Sequence, residues 1–164
     1  MREIATAIAH ALIQKQAITN HEVLNEAFAY AKPSSFSRGM RIDIGGVRIL
    51  LISGTASIDE QGRTVHIGDF RAQMRRTLAN ITGLLASEGA TWHDVVRTTC
   101  YLRDIERDYE VFNEERTAFF KEQGLDPLPA STGIQAILCR PELLIEIEAI
   151  AMFRTDQPAL QPKE

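Results

Sequence analysis

Two carboxylates near the C-terminal end have the spacing to do chemistry. In the run Leu143-Leu-Ile-Glu-Ile-Glu-Ala-Ile-Ala-Met152 the residues alternate as in a strand. Leu144, Glu146, Glu148 and Ile150 share one face, and Ile145, Ile147, Ala149 and Ala151 share the other. Glu146 and Glu148 therefore project from the same side, roughly 6.5–7 Å apart along the strand. On one reading that side is wet and the pair is ordinary surface charge. On the other, a carboxylate flanked by Ile145 and Ile147 faces a pocket, where burial raises its pKa and suits it to general acid–base work near neutral pH.

Fewer signals come from the rest of the chain. Ser53-Gly-Thr-Ala-Ser57 is a run of small residues that lets the backbone approach either a ligand or a crowded packing partner. Phe36 and Arg38 lie in the loop Pro33-Ser-Ser-Phe-Ser-Arg-Gly39 and are candidates to face a ligand; a plain surface position is the alternative for Arg38. His10, His21, His66 and His93 have no ligand-like spacing among themselves or with Cys100 and Cys139, so neither a metal nor another cofactor is expected.

Composition narrows the function classes. With 45% hydrophobic and 24% charged residues in 164, the chain suits one globular domain with a core of its own. A net charge of −4 lacks the basic footprint of nucleic-acid binding. Two cysteines are too few for a disulfide framework, and a reducing, cytoplasmic setting is the expectation. Glu3, His10 and Lys15 break up what would otherwise resemble a secretion signal, and no run of about 20 apolar residues is present to span a membrane.

The elements that must position the carboxylates follow in order. Ile4, Ile8 and Leu12 predict a helix over 2–16, and Val23, Leu24, Ala27 and Phe28 a second over 21–30, together an N-terminal helical appendage of residues 1–30. Arg41–Ile44 and Val47–Ser53 flank Gly45-Gly46 as a hairpin. Asp69 caps a helix to about Ser87, with Met74, Leu78, Ile81 and Leu85 inward and Arg71, Arg75 and Arg76 on the polar side. Val95–Leu102 is a strand, and Tyr109–Glu122 a helix with Tyr109, Phe112, Arg116, Phe119 and Phe120 inward. Ser131–Leu138 and the opening run are the last strands. The order β-β-α-β-α-β-β over residues 31–154, ahead of a tail at 155–164, makes an α+β domain with two helices on one sheet face. Subunit association is the expected cover for the other face.

These residues carry a resemblance to the Rid (YjgF-like) superfamily over about residues 30–154. It rests on Ile52-Ser-Gly54, Gly68-Asp-Phe-Arg-Ala-Gln73, Thr77-Leu-Ala-Asn-Ile81, Asp94-Val-Val-Arg-Thr-Thr99, Val111-Phe-Asn113, Pro129-Ala130 and Ile145–Ala151. The resemblance implies a chorismate-mutase-like homotrimer with small-molecule sites in clefts between subunits. In the deaminase branch an arginine two residues after the proline of Pro-Ala grips the substrate carboxylate. A glutamate fifteen residues later positions the water that hydrolyses an imine or enamine. Here the glutamate falls on Glu146 and the arginine position on Ser131; the family's cysteine falls on Gly133 and its tyrosine on Phe36. Asn113 and Ser53 match family pocket positions. Serine supplies no charged fork, which points away from a standard 2-imino acid deaminase.

Three functions stay open on these residues. One is a hydrolase acting through Glu146, with Ser53, Asn113, Ser131 and backbone amides near Gly133 holding the substrate. Another is a non-catalytic protein that binds a metabolite. The third is a pocket like that of the chorismatases, suggested by Ile52–Ile58 with His66-Ile-Gly-Asp69. The endoribonuclease or translation-inhibitor label attached to the family fits this acidic chain least.

Overall fold

The computed structural model describes residues 13–30 and 32–155. Six strands and two helices follow one another as β1 (Ile13–Ile18), β2 (Gly39–Ile44), β3 (Val47–Ala56), α1 (Phe70–Ser87), β4 (Val95–Leu102), α2 (Ile105–Glu122), β5 (Ala130–Gln135) and β6 (Ile145–Arg154). From β2 onward this is the expected β-β-α-β-α-β-β order. The sheet runs β1-β2-β3-β6-β4-β5, antiparallel throughout except between β4 and β5, which α2 joins as a crossover. Gly45 and Gly46 turn the β2–β3 hairpin with φ of +51° and +85°, a conformation that strains any residue bearing a Cβ.

One face of the sheet is the core. Ile145, Ile147, Ala149 and Ala151 of β6 are buried under the helices, and the α1 stripe of Met74, Leu78, Ile81 and Leu85 is buried against them. Asp69 caps α1 by accepting from the Ala72 N–H, and Asp104 caps α2 by accepting from the Arg107 N–H. The second helix thus starts four residues before the expected Tyr109. Tyr109 itself is exposed, so the inward stripe begins at Phe112. The α1 arginines are not simply solvated: Arg71 and Arg75 both bond the buried Glu115 of α2, and Arg76 bonds Glu60.

The N-terminal helices are corrected where they are described. Residues 13–16, assigned to the first helix, belong to β1, which pairs with β2 from Ile13↔Ile44 to Ile18↔Gly39. A neighbouring strand thus overrides the helical spacing at its end; residues 1–12, with Ile4, Ile8 and Leu12, lie outside the described residues. Over 21–30 the chain forms turns and a short 3-10 segment at Ala27–Ala29. Leu24 and Ala27 plug the core while Phe28 is exposed, which breaks the expected stripe. Asn20 Nδ2 donates to the Gly83 carbonyl, and the guanidinium groups of Arg38 and Arg140 both pack on the Tyr30 ring, 4.9 and 5.1 Å from its centroid.

Among the described residues no helix lies on the second sheet face. Register places Ile44, Leu51, Ile134 and Met152 on it, all more than a third exposed, along with Glu146 and Glu148.

Candidate functional site

Glu146 stands on the helix-free face in the middle of the sheet, between β3 and β4. Opposite it, β3 shifts register between Ile52 and Thr55, so that Ser53 and Gly54 form an irregularity in the ladder. The Glu146 carboxylate lies against Gly54: a Cβ there would overlap Oε1 and stand 3.0 Å from Cδ. Burial, and then the neighbouring charge of Glu148, hold the Glu146 carboxyl above its usual value of 4.5. Glu148 pairs in register with Thr99 and lies near the phenol of Tyr101. Burial, then Glu148, pushes that phenol up as well. The two carboxylates thus act on each other and on the same phenol.

The thiol of the exposed Cys139 is also near Glu146, and burial followed by the Glu146 charge raises its pKa. Ser53 Oγ donates to the Ser37 carbonyl at 2.7 Å, and its amide to the Arg38 carbonyl. The side chain of Arg38 is buried, donating to the Asn25 carbonyl and to Tyr30 Oη and packing over Phe36. Arg38 is therefore neither a surface residue nor directed at Glu146; it fastens the N-terminal segment. Phe36 is 43% exposed beside it.

Ser131, Gly133 and Asn113 form a second group on the helix side. β5 pairs in parallel with β4, matching Thr98 with Ser131 and Cys100 with Gly133. Thr98 Oγ1 donates to Ser131 Oγ at 3.1 Å, as does Arg116 Nη1 from α2. Arg116 Nη2 donates to Asn113 Oδ1 at 2.6 Å, while Asn113 Nδ2 donates to the Tyr109 carbonyl. Space is open above Gly133, where an added Cβ would meet nothing within 4 Å. The buried Cys100 lies beneath this shelf, its thiol raised by burial. A shallow depression of about 720 Å³ continues from Asn113 along the outer side of α2 to Lys121.

A single chain therefore does not bring the expected residues into one cleft. Glu146, Ser53 and Gly54 make one group, and Ser131, Gly133, Asn113 and Arg116 make another across the sheet. Cys139 and the bonding of Arg116 to Ser131 were missed in the sequence. The spacing of Asn113 and Arg116 on one helix was the available signal for the latter. Among the described residues no group of three His, Cys, Asp or Glu side chains could hold a metal ion, and no helix is long and apolar enough to cross a membrane.

Comparison with known proteins places the chain in a family. The family model described as Endoribonuclease L-PSP matches residues 21–153. A 3-aminoacrylate deaminase, RutC, of Acinetobacter baylyi is 35% identical over 103 residues, covering 63% of this chain and 78% of that protein. A RutC family protein of Pyrococcus abyssi is 32% identical over 62% of this chain and 76% of its own. The Escherichia coli YjgF structure superposes with a TM-score of 0.66 at 27% identity, covering 85% of this chain and 99% of that one. The Rid family protein YyfA of Yersinia pestis gives 0.67 at 27% identity, covering 84% and 98%. The six-stranded sheet with two helices on one face is their fold, and the chain belongs to the endoribonuclease L-PSP family, within the Rid/YjgF superfamily.

Proposed function

We propose that this protein binds a small molecule in clefts between copies of the chain and hydrolyses an imine, an enamine or a related metabolite through Glu146. The carrying observation is the half-buried Glu146 carboxyl, held above its ordinary pKa and pressed against Gly54. The separation of the two residue groups across the sheet supports an assembly in which one copy offers Glu146 and the next offers Ser131 and Asn113. A homotrimer is the assembly proposed. The similarity to a 3-aminoacrylate deaminase supports the reaction class, since 3-aminoacrylate is an enamine.

An enamine first takes a proton on carbon and becomes an imine. Glu146 then takes a proton from water as the oxygen adds to the C=N carbon and passes it to nitrogen, giving a carbinolamine. The same carboxylate next takes the hydroxyl proton and delivers it to nitrogen as the C–N bond breaks, so that a carbonyl and ammonia leave. A carboxyl with a raised pKa serves both halves of that cycle. Ammonia release should be measured with 3-aminoacrylate, 2-aminoacrylate generated in place, and a cyclic imine. Glu146→Gln is expected to lower kcat about 10²–10⁴-fold on the substrate that is turned over. Absence of turnover on all three would sink this version.

Ser131 and the open space over Gly133 favour a second reading, a protein that binds its metabolite without converting it. Under that reading a bound metabolite raises Tm with no product formed, and Glu146→Gln changes affinity alone. Ribonuclease activity draws least support, given the net charge of −4.

A further inference from the structure

We infer that Tyr101 and Glu148 form a proton relay beside Glu146, and that this relay turns an enamine substrate into its imine before water adds. The inference rests on the hydrolysis proposed above and assigns the step that precedes it.

The sheet register builds the relay. Tyr101 of β4 pairs with Glu146 of β6, and Thr99, two residues earlier on the same face, pairs with Glu148. Directly opposed side chains start about 5 Å apart at Cβ and diagonal ones about 7–8 Å apart, a span that an aromatic side chain bridges. Tyr101 thus stands straight across from one carboxyl and diagonally from the other. Its phenol hydrogen-bonds Glu148, and the charge of Glu146 also reaches it. The ring is half-buried and packs against the core, so it is held in place before any substrate arrives.

The groups of this cluster differ in what they do with a proton. Burial favours the protonated form of Glu146, which makes it a donor. Burial, then the charge of Glu148, raises the phenol and keeps its hydrogen in place, and a relay must hold a hydrogen in order to pass one on. Glu148, as the acceptor of that hydrogen, completes the path.

Water addition needs a C=N carbon, which an enamine lacks until it tautomerises. In that step the Glu146 carboxyl gives its proton to the terminal carbon, where the C=C pair forms the new C–H bond. The nitrogen lone pair closes the C=N bond. The N–H proton passes to Tyr101 Oη as the phenol hydrogen moves to Glu148, and the N–H pair stays on nitrogen. A neutral imine results, with Glu148 protonated and Glu146 left as the carboxylate that next takes a proton from water. After product release Glu148 returns its proton to the phenol while the phenol hydrogen crosses one water to Glu146, which restores the starting charges. A substrate that arrives as an imine bypasses the relay.

The test compares the full chain on two substrates generated in place: the enamine 3-aminoacrylate, and the imine 2-iminopropionate made from alanine by an amino acid oxidase. Its readout is the ratio of kcat/KM on the enamine to kcat/KM on the imine. Tyr101→Phe keeps the ring, removes the hydroxyl and is expected to lower that ratio about ten- to hundredfold. Glu148→Gln should lower it by a similar factor, and the double variant no further than either single one. Glu146→Gln should lose both substrates. The relay is overturned if Tyr101→Phe and Glu148→Gln, both folded by thermal melting, keep the ratio of the unaltered protein, since a merely structural role slows both substrates alike. An unaltered protein that turns over the imine and not the enamine removes the relay and leaves the hydrolysis by Glu146 standing. Turnover of neither removes the hydrolysis, and the relay with it.

Discussion

At position 54 the absence of a side chain lets the Glu146 carboxylate lie against the backbone of β3. Gly54→Ala adds one methyl group where Oε1 and Cδ now are, and the flexible glutamate can swing aside to admit it. Turnover should fall about a hundredfold from misplacement of the reacting group, while Tm moves by only a few degrees. Steady-state kinetics beside a thermal melt checks this; an active Gly54→Ala would mean that the carboxylate position is immaterial. The raised pKa of Glu146 carries a sign of its own. A carboxyl whose folded value lies above its unfolded one costs stability as pH rises from the unfolded value through the folded one. Glu146→Gln should therefore gain stability relative to the unaltered protein as pH climbs above 4.5, with the gain levelling off past the folded pKa. Denaturant melts across that range would read it. The face of Glu146 was legible from alternation alone. The surroundings of Ser131 were not, because they depend on a parallel register with β4 and on a helix that begins four residues earlier than its aromatic pattern suggested.

Between elements, the contact that fixes how α1 sits on α2 is Glu115, buried beneath Arg71 and Arg75. The Arg75 and Arg71 bonds outweigh burial and hold its carboxyl below 4.5. A lowered folded pKa gives stability that is present above the unfolded value and lost as pH falls through the folded one. Glu115→Gln should lower Tm at pH 7, and the difference from the unaltered protein should shrink in acid. Equal deficits at both pH values would show packing rather than charge at work. Helices with a clean stripe and a cap, such as α1, were legible because local preference and tertiary burial agree there. The segment 13–30 was not. Its helical spacing competes with an antiparallel partner in β2 and with separate core slots for Leu24 and Ala27, and contacts distant in sequence decide the outcome.

Among the described residues, both helices lie on one face of the sheet and none on the other. Leu51 of β3, Met152 of β6 and Ile134 of β5 are exposed apolar residues on the face that carries Glu146, a composition suited to association. In the proposed trimer, Leu51→Arg places a charge on that face and leaves the helix-side core untouched. Sedimentation velocity should show the assembly shifting to monomer, with turnover falling alongside it. A fully active monomer would remove the intersubunit cleft. The expectation of a cover could be read from two helices serving a five-stranded order; the sixth strand and the residues of the uncovered face became definite only with the register.

The packing of Arg38 and Arg140 on the Tyr30 ring has a consequence for how this chain can vary among its descendants. Arg140 adjoins Cys139, which neighbours Glu146, so the ring links the N-terminal segment to the rim of the reactive face. The room for that ring is provided by Gly62, where a Cβ would come within 2.6 Å of it. A lineage that sheds residues 13–30 would strip Arg38 of its hydrogen-bond acceptors, while Arg140 keeps its bonds to the Gly62 carbonyl and Thr64 Oγ1, so Arg38 would be expected to disappear with Tyr30. Gly62 would stay, because its φ of +79° strains any other residue even where the ring is gone, so that Tyr30 and Arg38 should be inherited, or lost, as one character.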